Sequence, residues 1–148
     1  MTRLIRRLPR GRDDGSTTLE LVIVIPGFIL LLLLLIFGFR VTTAGQNVEA
    51  AAGAAAREAA LARNAGIAQG SGAAAATTAL AQAQAPCSSS RADIDTAGFQ
   101  APLGQLGTVT ASVSCVVPLA GLVPGLPGQM TITKTASQPV DAYTQRQP

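Results

Sequence analysis

The 148-residue chain has a net charge of +3, 48% hydrophobic content, two cysteines and neither histidine nor tryptophan. Without histidine, and with cysteines too few and too far apart for a tetrahedral site, metal catalysis and histidine-assisted nucleophilic catalysis are disfavoured; no enzyme, catalytic residue, metal site or cofactor is expected. The charge is local: Arg3, Arg6, Arg7, Arg10 and Arg12 against Asp13 and Asp14 account for all of it, so nothing points to nucleic acid, and no small-molecule substrate is marked.

The apolar content is also local. Of the hydrophobic residues 27 are alanine, and the large ones concentrate between Leu19 and Phe39. Leu21 to Phe39 is 19 residues without a charge, which as a helix covers about 28 Å, close to the hydrocarbon thickness of a bilayer. A single transmembrane helix is therefore predicted, with Pro26 and Gly27 loosening it near its start and Gly38 near its end. Five arginines precede the run and only Arg40 and Arg57 closely follow it, so the positive-inside bias puts the N-terminus in the cytoplasm and the C-terminal part outside.

The boundary before this helix is more specific. Gly15 separates the charged leader from the span, and Glu20 stands five positions beyond it. A carboxylate at the edge of a membrane helix is costly unless it has a partner or a task. One reading makes Ser16 an N-cap, with Leu19 and Glu20 in the first turn, where negative charge complements the helix dipole.

Glycine, four residues, glutamate and an apolar helix also resembles the processing site of type IV prepilins. The resemblance implies cleavage after Gly15 by a membrane prepilin peptidase, leaving Ser16 as the new N-terminus and Glu20 to neutralise the terminal ammonium of its own or a neighbouring subunit. The longer string Gly15-Ser16-Thr17-Thr18-Leu19-Glu20, the apolar run to Pro26, the leucine tract and Phe37-Gly38-Phe39-Arg40 resembles the TadE-like family, pseudopilin components of the Tad (Flp-type) pilus machinery. It implies a structural or priming subunit, with a lipid bilayer, other pilin or pseudopilin subunits, assembly machinery and a prepilin peptidase as partners.

Beyond the span, Thr42 to Ala68 is alanine-rich and free of proline, and predicts a helix that continues the membrane segment. Val48, Ala52, Ala55, Ala59 and Ala62 share one face of small side chains, suited to close helix packing. Gln69-Gly70-Ser71-Gly72 reads as a hinge, followed by a short helix from Ala73 to Ala85 that Pro86 ends.

After Pro86 the composition shifts to Thr, Val, Ser, Gly and Pro. Thr108 to Val117 alternates, with Val109, Ala111, Val113, Cys115 and Val117 on one face, as a half-buried strand does. Leu119 to Gly128 must be a loop. Gln129 to Ala136 alternates again, with Lys134 interrupting the apolar face of Met130, Ile132 and Ala136, and a weaker strand spans Ala92 to Phe99. The expected sheet has two or three antiparallel strands packed on the helix, since a lone hairpin is marginal.

In an exported domain Cys87 and Cys115 suggest a disulfide; closing a loop of about 29 residues would stabilise by roughly 3–4 kcal/mol. Two buried, reduced cysteines are the alternative. The threonine-valine strand ending in Val113-Ser114-Cys115-Val116-Val117-Pro118-Leu119, the leucine-proline-glycine loop and the closing Pro139-Val140-Asp141-Ala142-Tyr143 resemble actinobacterial TadE-like proteins.

The expected organisation is an α+β, pilin-like chain of the cell membrane: a basic cytoplasmic leader (1–15), a transmembrane helix (16–40), an alanine-rich helical stalk (41–85) and a small exported β domain (86–148). Two other classes compete with a pseudopilin. One is a single-pass envelope protein with an exported binding or adhesive domain unrelated to pili; the other is a secreted protein cleaved near Ala44, where Thr42, Thr43 and Ala44 form a weak signal-peptidase site.

Overall fold

The computed structural model describes residues 14–102, 104–122, 125 and 127–140. The arginine leader and Asp141-Ala142-Tyr143 lie outside them. The architecture is α+β, as expected: a long apolar helix, a second helix and a three-stranded antiparallel sheet. The chain divides into two compact units, Met1–Ile36 and Phe37–Pro148.

Within the first unit the described residues belong to helix α1 (Asp14–Ala60), which continues into the second. Pro26 sits inside its helical span. Ser16 lies inside the described helical span, which runs from Asp14, and is not an N-cap.

In the second unit α1 carries a buried stripe of Ala44, Val48, Ala51, Ala52, Ala55, Ala56 and Ala59, spaced by three and four as one face of a helix requires. The expected face of Val48, Ala52, Ala55 and Ala59 is therefore buried, and Ala62 is partly so. The helical pattern stops at Ala60. Asn64, in extended conformation, caps α2 (Ala65–Gln82) by accepting the Ile67 N–H on its side-chain oxygen at 2.8 Å.

This overturns the expected hinge. Residues 69–72 are helical, the interruption lies at 61–64, and α2 begins eight residues before Ala73. The physical reason is tertiary. Gly72 is buried where the two helices meet, and a Cβ there would lie 3.1 Å from the Ala55 carbonyl oxygen, 3.2 Å from Ala59 Cβ and 3.2 Å from Ile94 Cδ1. Its missing side chain permits close backbone approach, which outweighs the weak helix propensity of glycine.

The sheet is a meander, β1 (Ser89–Asp95), β2 (Gly107–Pro118) and β3 (Gln129–Val140), in the order β1-β2-β3. Both pairings are antiparallel; Cys115 sits opposite Ser90 and Ile132, and Val113 opposite Ala92 and Lys134. All five residues of the expected inward face of β2 are buried, joining Ile94 and Val140 against the stripe of α1 and Ala68, Ala76 and Leu80 of α2. The weak strand lies slightly earlier than expected: β1 ends at Asp95, and Ala97–Gln100 form a 3-10 turn. That turn crosses the start of β2 so closely that a Cβ on Gly107 would collide with the Gly98 carbonyl. Leu119–Leu122 form one short helical turn (α3) within the expected loop.

Candidate functional site

Two features of this chain bear on function, the apolar half of α1 and the disulfide-closed sheet. Every large apolar residue named in Leu21–Ile36 is exposed, from 42% at Leu32 to 71% at Ile23. A helix of a soluble domain buries one stripe and wets the other. Here the apolar side chains of Leu21–Ile36 point to all sides, and none is covered by the rest of the described chain. The helix is long and apolar enough to cross a membrane.

The boundary residues Gly15, Ser16 and Glu20 fall in the first two turns of α1. Their side chains lie outside what is described, so no contact is assigned to Glu20. Pro26, Gly27 and Gly38 all lie in the same helix. A Cβ on Gly27 or Gly38 would meet nothing within 4 Å, so neither glycine serves a close approach within this chain. Thr42 and Thr43 return their hydroxyl hydrogens to the carbonyls of Gly38 and Phe39 at 2.9 Å, which satisfies these polar groups inside the helix. A cut near Ala44, as a secreted protein requires, would fall within α1.

Cys87 and Cys115 are brought together as a disulfide, with Cα atoms 5.4 Å apart. The bond ties the segment after α2 to the central strand. Beside it the Ser88 N–H donates to the Val116 carbonyl at 2.8 Å, which continues the β1–β2 pairing. Lys134, the expected defect in the face of β3, reaches Glu49 of α1 at 3.7 Å. Both side chains are substantially exposed, 43% and 66%, so the pair contributes no more than about 1 kcal/mol. Its role is to let a cation occupy an inward-facing register without losing water.

The opposite face of the sheet is hydroxylic. Thr110 and Ser137 pair at 3.0 Å, and Thr135 donates to Ser112 at 3.5 Å. Among the described residues no group of three His, Cys, Asp or Glu side chains could hold a metal.

The chain thus has the architecture of a small α+β domain carried on a long apolar helix. Residues 15–57 match the family model described as TadE-like protein, which is under a third of the chain and begins at Gly15. The match takes in the boundary, the apolar run and most of the alanine stripe of α1, and stops before α2 and the sheet. Comparison with curated proteins and with solved structures gave no match.

Sequence reasoning missed one feature of this region. Phe39, Arg40, Thr43, Ala44 and Asn47 of α1 form a groove of about 320 Å³ with Ala83, Gln84 and Pro86. Its one sequence signal was Arg40, the first charge after the apolar run.

Proposed function

We propose that this protein is a membrane-anchored, pseudopilin-like structural subunit of a Tad-type, type IV-related pilus or secretion apparatus, cut after Gly15 by a prepilin peptidase. The observation that carries the reading is that a TadE-like match starts at Gly15 and runs along a helix whose large apolar residues from Leu21 to Ile36 are exposed on every side. A helix of this kind holds the subunit in the bilayer before assembly and packs against like helices afterwards. Cleavage would place a new ammonium group at Ser16, and Glu20 would neutralise it away from water. The role is structural, not catalytic.

The arginines ahead of the span support a cytoplasmic N-terminus, and the disulfide supports an extracytoplasmic sheet, because such bonds persist in oxidising compartments. Kinship with actinobacterial members rests on residue strings beyond the matched segment and belongs to this proposal. The rival, an envelope-anchored binding or adhesive protein, draws on the hydroxylic sheet face, which the family match does not reach.

The test is deletion of the gene in its own host, with complementation by the wild type and by Glu20→Ala. Loss of surface fibres or of apparatus-dependent secretion, restored by the wild type and not by the variant, is expected. Normal fibres and secretion after deletion would favour the rival.

A further inference from the structure

The disulfide joins two cysteines whose surroundings differ. Cys115 is 1% exposed, lies on the central strand and belongs to the core cluster with Val113 and Val117. Cys87 is only partly buried and lies in the connection 83–88, outside any helix or strand. In thiol–disulfide exchange a thiolate attacks one sulfur of the bond and the other leaves, so access to each sulfur decides where the reaction starts. The incoming sulfur approaches in line with the bond it breaks. At Cys115 that approach runs through a packed interior with no room for a reagent, whereas Cys87 keeps part of its surface open.

The backbone beside Cys87 suits a bond that opens and recloses. Ser88 donates to the Val116 carbonyl from its N–H at 2.8 Å and from its hydroxyl at 3.0 Å. Beyond it β1 pairs with β2 from Ser89↔Val116 to Asp95↔Thr110. None of these contacts passes through the S–S bond. On the other side the Cys87 N–H reaches only the Ala85 carbonyl, at 2.8 Å, two residues back. Opening the bond therefore leaves Cys87 tethered close to Cys115, where reclosure is intramolecular and favoured by proximity.

We propose that Cys87 is the exchange site of this protein, the sulfur through which a disulfide-bearing oxidant of the extracytoplasmic space installs the bond and through which external thiols open it. The oxidant rests on the exported reading of the sheet. In the closing direction the Cys87 thiol loses its proton to solvent, and its thiolate attacks the oxidant's disulfide, forming a mixed disulfide and releasing one oxidant thiolate. Cys115 then loses its proton and attacks the Cys87 sulfur, expelling the second oxidant thiolate. The two protons complete the oxidant's two thiols, and two electrons pass from the cysteine pair to the oxidant. Opening by an external thiol runs the same steps backwards, through the same Cys87 adduct.

The test uses the full-length, oxidised wild type in detergent, exposed to reduced glutathione, quenched with acid at early times and mapped by mass spectrometry. Glutathione is expected on Cys87 about tenfold or more over Cys115, and the preference should vanish in guanidinium, where both sulfurs are open. No substitution is involved, so a misfolded variant cannot produce the result. Native adducts divided equally, found chiefly on Cys115, or absent altogether overturn the site.

The compartment is read separately, by alkylating whole cells before lysis. Protein recovered with its disulfide intact is expected. If both cysteines are recovered as alkylated thiols while glutathione still selects Cys87 in the purified, oxidised protein, the exported reading and its oxidant fail, and the exchange chemistry of Cys87 stands.

Discussion

Gly70 and Gly72 are two residues apart in α2, and their surroundings give them opposite behaviour. Nothing lies within 4 Å of a Cβ built on Gly70, whereas one on Gly72 presses on the Ala55 carbonyl and on Ala59. Gly70→Ala therefore gains only helix propensity, about 0.8–1 kcal/mol, and should raise the melting temperature by about 4 °C or more. Gly72→Ala gains the same propensity and loses it to crowding, so no rise is expected, and Gly72→Val should cost about 2 kcal/mol. Thermal unfolding of the three variants checks the contrast. Neither glycine's role was legible in the sequence, where Gln69-Gly70-Ser71-Gly72 has the composition of a flexible linker. What distinguishes them is the pair Ala55 and Ala59 on the preceding helix, which local pattern does not carry.

At the scale of elements, legibility follows how strictly burial enforces a period. β2 is the central strand, with one face buried along its length, and Val109 to Val117 announced it cleanly. β3 has the same alternation but lies at an edge, so its face tolerates Lys134, and the strand runs on through Pro139 to Val140, beyond the end expected at Ala136. The start of α2 depends on one side-chain cap, and Asn64→Ala should destabilise the domain by about 1 kcal/mol in denaturant titration. The disulfide matters more. Reduction, or the Cys87→Ala/Cys115→Ala double variant, should remove roughly 3–4 kcal/mol, measured as a lower denaturation midpoint. A domain with so few large apolar residues loses much of its margin by that change, since small domains are only marginally stable.

Across the whole molecule, the sequence divides its apolar residues between an exposed helical run and a packed core. The leucine-rich run of α1 remains exposed, while alanine and valine fill a shallow core between the helices and the sheet. This division is why the composition, taken without position, looks like that of a globular protein. It also explains why the apolar span and the fold class could be read from the sequence, whereas the groove at Arg40 and Gln84 could not: it needs residues as far apart as Phe39 and Pro86 brought side by side. The central claim is that the long helix is a processed membrane anchor. It is tested most directly by the N-terminal residue of the protein recovered from carbonate-washed membranes. The account predicts a start at Ser16, abolished by Gly15→Ala. Protein beginning at an intact Met1 while still functional would contradict the processing step, and protein beginning near Gly45 in the soluble fraction would contradict the anchor itself.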